Sequence, residues 1–229
     1  MARILYTLCG TDVTRPFSPH CWKAVMALAH KGLEFEERPM PFTAIPELEE
    51  GFSKIVPILC DGEERVADSF AIARYLEEDY PDRPSLFMGP GGEAMARFVE
   101  GWSQTQIHPA VTAIAILKIH DMLDEKDQAY FRKTREAALG RTLEEAAAGA
   151  DEARAAFPAR LQPIRHMLRA QPFLGGDAPL FADYIVFGAL QWLRIVAGPV
   201  PFLPDDPVSD WFERLLDAND AIGRSVTAA

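Results

Sequence analysis

Ser18-Pro19-His20-Cys21 reads as a thiol-redox Cys-Pro-x-Cys motif in which serine stands for the first cysteine. A cysteine there would be a nucleophile, because the positive end of a helix stabilises its thiolate. A serine hydroxyl stays protonated where a thiol ionises. What it can do is donate a hydrogen bond, and a thiolate carried by another molecule is a suitable acceptor. The tetrapeptide therefore suggests a site for a borrowed thiol, or merely a capped helix start, since Ser followed by Pro opens many helices. Cys21, one helical turn beyond Ser18, is expected to be buried packing, and His20 to face solvent.

Two further pairs carry chemistry. Val56-Pro57 precedes a strand. A cis bond there would turn the preceding amide and carbonyl outward to pair with an extended peptide, and the plain alternative is an edge-strand proline. Asp68-Ser69 stands where a hairpin ends and a helix begins. Ser69 and its amides at a positive helix end suit a carboxylate, and Asp68 suits an ammonium, so an amino-acid zwitterion fits better than a bare anion. A simple helix cap is the competing reading.

The elements that must position these residues follow from patterning. Arg3 to Leu8 is an apolar, β-prone run, and Ser18 caps a helix with Pro19 at its first position, running until Gly32 stops it. Leu33 to Arg38 supplies a second strand, parallel to the first if the crossover is right-handed. Val56 to Ala67 is a hairpin turning at Asp61-Gly62, and Asp68-Ser69 opens a helix ending near Asp79-Tyr80-Pro81. This β-α-β, irregular, β-β-α order matches a thioredoxin-like unit over residues 1–80. Residues 81–92 concentrate Pro and Gly as an interdomain linker does. Beyond them the pattern over 93–229 is all-helical: 93–120 with a kink at Pro109, then 125–149, 158–170, 181–197 and 207–217.

Composition sets limits. A chain of 229 residues with 48% apolar residues can hold two domains with real cores. The formal charge of −11 counts against nucleic acid as a partner. No apolar stretch approaches the roughly 20 residues of a membrane span, and no signal-peptide core is visible, so a cytoplasmic location without membrane attachment is expected. The cysteines at 9, 21 and 60 lack zinc-pair or CxxC spacing, and the five histidines form no HxxxH or HExxH, so no metal is expected.

The combination resembles the glutathione transferase superfamily over essentially the whole chain. The fold this implies is a thioredoxin-like α/β N-terminal domain followed by an all-α C-terminal domain. Leu174-Gly175-Gly176-Asp177 followed by Phe181-Ala182-Asp183-Tyr184 also looks like the family's signature ahead of a buried helix, with Asp183 closing a capping box. The resemblance implies glutathione as co-substrate. Ser18 would hold its thiolate, Val56 ahead of Pro57 would pair with its cysteinyl backbone, and Asp68 with Ser69 would hold its γ-glutamyl end. It also implies a homodimer.

The chain departs from the family pattern at two places. Leu180 stands where the capping box normally has Ser or Thr, leaving Asp183 to cap alone or through backbone amides. Ile55 stands where a basic residue often meets the glycine carboxylate, so Lys54 or another base must substitute.

Ser18-Pro19-His20-Cys21-Trp22, Phe42-Thr43-Ala44-Ile45 and Tyr80-Pro81-Asp82-Arg83-Pro84-Ser85-Leu86-Phe87 look like the bacterial β-etherase group and its fungal relatives, which cleave aryl ethers. The expected electrophile is a small apolar or aromatic compound. Its wall is expected on the first helix of the second domain, from Trp102, Gln106 and His108, each of which would otherwise be core or surface. Two other functions compete: a non-catalytic protein that binds glutathione or apolar ligands, and a glutathione-dependent reductase, against which the absence of a cysteine at position 18 argues.

Overall fold

The computed structural model describes residues 3–229. Met1 and Ala2, counted above within the first domain, lie outside the described residues. Strand β1 (Arg3–Leu8) is central, with β2 (Phe35–Met40) parallel on one side and the hairpin of β3 (Ile58–Asp61) and β4 (Glu64–Ala67) antiparallel on the other, giving the order β2-β1-β3-β4. Helix α1 (Pro19–His30) makes the β1-to-β2 crossover, and α2 (Ser69–Asp79) packs beside it. The opposite sheet face carries a small cluster of Tyr6, Ile58 and Cys60, covered by Met40, Leu48 and Val56. There a short helical segment, Phe42–Gly51, docks through Tyr6 Oη, which donates to Glu49 Oε1 at 2.7 Å. The thioredoxin-like reading of the first half holds.

The second half is helical, with corrections. The helix expected from 93 starts at Pro90, so α3 spans Pro90–Trp102 and takes in the end of the Pro/Gly-rich stretch. A π-helical turn over Ser103–Ile107 joins it to α4 (His108–Asp121), which carries Pro109 in its first turn. A proline lacking its N–H fits a first turn better than a helix interior. The expected 125–149 helix is divided: α5 (Glu125–Leu139) closes on Gly140 at φ 66, and Thr142 with Glu145 forms the capping box of α6 (Leu143–Ala147). The helix expected from 158 begins at Ala150 instead. It is α7 (Ala150–Arg160), which holds Pro158 near its end, and the chain then turns into α8 (Gln162–Leu168). Helices α9 (Phe181–Ala197) and α10 (Pro207–Ala221) complete the chain, and regular helical dihedrals in α10 stop before Ala218. No described helix is long and apolar enough to cross a membrane.

Helix α9 is apolar on all sides, and every residue but Arg194 is buried, as its position among α1, α3 and α4 requires. Two features fix it. At its N-terminus Asp183, fully buried, accepts from Leu174 N (2.7 Å), Gly175 N (2.9 Å), Leu180 N (2.9 Å) and Trp211 Nε1 (2.8 Å). Leu180 has no side-chain acceptor, so Asp183 does the work of a capping box from one side while also pinning α10. Burial pushes its carboxyl upward and the four donors pull it back. At mid-helix, a Cβ on Gly188 would lie 2.4 Å from the Pro19 carbonyl oxygen of α1. The helices touch backbone to backbone there.

Asp183→Ala leaves four N–H groups unmatched, two of them buried and two half-buried, and is expected to lower unfolding free energy by about 3–5 kcal/mol in denaturant titration. Gly188→Ala is expected to cost about 1–3 kcal/mol by overpacking. Gly101→Ala, in open space on α3, serves as the control and is expected to stabilise by up to about 1 kcal/mol. Equal effects of the two glycine changes on the melting temperature would show that the α1–α9 contact is not tight.

Candidate functional site

Ser18 precedes α1 with extended backbone angles (φ −62, ψ 127), and its Oγ accepts from Cys21 N at 3.4 Å. The approach is pinned on both sides. Phe17 N donates to Leu8 O at 3.0 Å, and Trp22 Nε1 reaches back to Pro16 O at 3.1 Å. Because the hydroxyl oxygen receives the helix N–H, its own proton remains available to a ligand. Ser18 is only 5% exposed, so that bond would form largely out of water.

A cavity of about 320 Å³ opens beside Ser18, between the first sheet and α5. Lys54, Ile55, Val56, Pro57, Asp68 and Ser69 line it along with Ser18, as do Tyr130 and Arg135 from α5. The Val56-Pro57 bond is cis. Asp68 caps α2 with one oxygen, Oδ1 accepting from Phe70 N (2.9 Å) and Ala71 N (3.0 Å), which leaves Oδ2 for another donor. Ser69 is buried, and its Oγ has no hydrogen-bond partner among the described residues. Lys54 is exposed at the rim. The lining thus offers a hydroxyl and a helix end, a carboxylate and an ammonium.

A second cavity, about 210 Å³, shares Leu8, Ser18, His20, Phe42 and Arg135 with the first and continues between α4, α5 and α9. Its walls are mostly apolar, with His108, Thr112 and Trp192 adding polar atoms. His20 is half-buried, not solvent-facing as expected, because its ring lies 5.3 Å from that of His108 and its Nδ1 3.3 Å from Lys23 Nζ. Lysine only donates, so Nδ1 accepts and Nε2 carries the proton. Burial, reinforced by Lys23, pulls His20 down to about 3, and burial with His20 and Lys23 pulls His108 down to about 3. Both imidazoles are neutral at physiological pH.

Of the residues singled out from the sequence, Ser18, Lys54, Ile55, Val56, Pro57, Asp68 and Ser69 converge on one cavity, and His108 on the adjoining one. Trp102 and Gln106 do not. They border a separate shallow surface with Arg97 and Phe98, where Gln106 Oε1 accepts from Arg160 at 3.1 Å. The sequence reading missed Phe42, Thr112, Arg135 and Trp192. His20 and His108 aside, no local spacing marks them; they meet only through packing of α4, α5 and α9.

The family model described as "Glutathione S-transferase, N-terminal domain" matches residues 13–84, and that described as "Glutathione S-transferase, C-terminal domain" matches residues 94–201. The chain is 28% identical over 219 residues to the glutathione S-transferase-like protein ustS of Aspergillus flavus, spanning 82% of this chain and 78% of that protein. A zeta class glutathione S-transferase of Euphorbia esula is 44% identical over 66 residues, 27% of this chain and 29% of its own. In three dimensions the chain is similar to glutathione transferase GSTFuA3 from Phanerochaete chrysosporium (TM-score 0.81, 25% identity, 94% and 96% of the two chains). It also shares the fold of CsGST63524 of Ceriporiopsis subvermispora, solved with glutathione (TM-score 0.78, 23% identity, 96% and 97%).

The thiols of the chain itself are unreactive by position. Cys9, Cys21 and Cys60 are all buried and free, and burial pushes them up to about 11, 12 and 11 respectively. Titration of the folded protein with an aromatic disulfide reagent at mildly alkaline pH is expected to show no fast thiol, and all three after denaturation. A single thiol reacting rapidly in the native state would revive a redox role for Cys21.

Proposed function

The chain belongs to the glutathione transferase superfamily, and from that premise we propose that it activates glutathione at Ser18 and transfers its sulfur to an apolar or aromatic electrophile. The observation that carries this reading is the Ser18 hydroxyl, which caps α1 through its oxygen and so keeps its proton for a sulfur at the junction of the two cavities. The first cavity suits the rest of the tripeptide. The γ-glutamyl carboxylate goes to the Ser69 hydroxyl at the α2 N-terminus, its ammonium to Asp68, the cysteinyl backbone to Val56 beside Pro57, and the glycine carboxylate to Lys54 next to Ile55. In this reading residues 1–80 bind glutathione, 81–92 link, and 93–229 contribute the electrophile pocket. The functional unit we propose is a homodimer.

A free thiol has a pKa of about 8.5, leaving only a few per cent thiolate near neutrality. Lowering it by about 2 units requires roughly 2.7 kcal/mol of preferential thiolate stabilisation. A hydroxyl hydrogen bond in a dry site and the N-terminus of α1 together are of that size. The sulfur then attacks an electrophilic carbon: a C–S bond forms, the bond to the leaving group breaks, the leaving group departs with its electron pair, and the thiol proton has already passed to solvent. Aryl-ether cleavage, with phenolate as leaving group, is the specific activity we propose on the sequence likeness to the β-etherase group.

Ser18→Ala is expected to raise the apparent pKa in the kcat/KM profile towards 8.5 and to lower kcat/KM near neutrality by roughly 10–100-fold, while Cys21→Ser leaves the profile in place. Unchanged conjugation by Ser18→Ala would sink the assignment. Glutathione binding without turnover on aryl ethers, halides or epoxides would make the protein a binding module instead.

A further inference from the structure

Arg135 is a cation left over once glutathione is accounted for. It borders both cavities from α5. Arg132, one turn earlier, is ion-paired to Glu136 and Glu144 at 2.9 Å each. Arg135 has no carboxylate partner among the described residues, and its guanidinium makes one long contact, 3.4 Å to Thr134 Oγ1. Its charged group lies near the ring centroids of Phe42 (5.6 Å) and Phe131 (5.1 Å), and burial holds it below its usual range. A half-buried guanidinium packed on two aromatic rings, with no anion beside it, is built to receive one.

The rest of the second cavity agrees in sign. No Asp or Glu lines it. Trp192 Nε1–H, a donor only, is buried without an acceptor among the described residues, and His108 Nε2 is buried there without a hydrogen-bond partner. Phe42, Phe131, Ile116 and Ile119 supply flat apolar walls. At about 210 Å³ the space is smaller than the roughly 300–1,000 Å³ of sites for drug-sized ligands, and suits one ring with short substituents. Glutathione brings two carboxylates and one ammonium, already matched by Ser69, Lys54 and Asp68. Resting on that assignment, we propose that Arg135 is a specificity-determining residue and that the electrophile is an aromatic acid, its carboxylate on the Arg135 guanidinium and its ring between Phe42 and Phe131.

The probe pair is para-chloro-meta-nitrobenzoate and its methyl ester. In each, the thiolate sulfur bonds to the ring carbon bearing chlorine and chloride leaves with the electron pair. The ester withdraws more electron density from the ring than the carboxylate does, so each kcat/KM is divided by the rate constant of the same probe's uncatalysed reaction with glutathione. In this normalised ratio wild type is expected to favour the acid over the ester by roughly 10–100-fold, the range of a charge-assisted hydrogen-bonded pair. Arg135→Gln should bring the ratio near one, and Arg135→Lys should retain part of it. A wild-type ratio near one overturns the proposal, and needs no variant to fold. So does a ratio that survives in Arg135→Gln while KM for glutathione rises tenfold, which would give the guanidinium to the tripeptide's glycine carboxylate. Binding of unreactive para-nitrobenzoate and its methyl ester, followed by tryptophan fluorescence with glutathione present, separates the two readings. Acid-selective binding lost in Arg135→Gln supports the anion site even if no conjugation occurs. Conjugation without acid selectivity leaves the transferase standing and removes this inference.

Discussion

The backbone contact between α1 and α9 is the constraint from which the site follows. Gly188 lets the Pro19 carbonyl approach where any side chain would collide, and the Lys23 stem runs over the same spot, its Cγ 3.5 Å from where a Cβ would stand. Lys23 is fully buried and pairs with Glu100 of α3 at 3.0 Å, while its Nζ meets His20. Further along α1, His30 Nε2 donates to Ser85 O at 3.0 Å, so its Nδ1 accepts from Tyr184 of α9 at 2.7 Å. A buried ion pair adds little net stability against hydrophobic packing, but breaking one costs several kcal/mol. Its worth here is positional: α1 has one seat, and Ser18 is at its head.

That seat also decides the electrostatics. Two imidazoles, His20 on the shared wall and His108 in the second cavity, are held neutral by burial and by Lys23, so neither brings a positive charge to the space beside Ser18 at neutral pH. The α1 N-terminus and the Ser18 hydroxyl are both fixed before any ligand arrives, and the Arg135 guanidinium shares the wall. Preorganised dipoles of this kind need no rearrangement when charge develops. Asp127 adds a tie from the other domain: its buried carboxylate accepts from Phe42 N at 2.6 Å and Thr43 N at 2.9 Å, which locks the ring of Phe42 between the cavities.

Legibility in the sequence tracked how local each cause is. Ser18-Pro19, Val56-Pro57 and Asp68-Ser69 are cap and turn signals whose geometry is set within a few residues, and all lie on the same cavity. The order of strands and helices along the first half was legible for the same reason, and the burial of α9 through the family resemblance. Helix ends in the second half were not, since Gly140 at positive φ and the π-helical turn before His108 interrupt patterns that run on in sequence. Trp102 and Gln106 face a different surface, which helical spacing alone does not reveal. Arg135 sits in a helix crowded with charge, where nothing local separates it from the ion-paired Arg132.

The two cavities therefore obey different rules of construction. The first is assembled from chain segments that each fix a single residue by local backbone geometry, which suits a ligand that never changes. The second is closed by α4, α5 and α9, and the polar side chains these helices bring to it, His108, Thr112, Arg135 and Trp192, lie outside the caps and turns that build the first. Their shared wall of Leu8, Ser18, His20, Phe42 and Arg135 belongs to both. What the second cavity accepts is thus a matter of which charges and rings α4, α5, α9 and the Phe42–Gly51 segment present there.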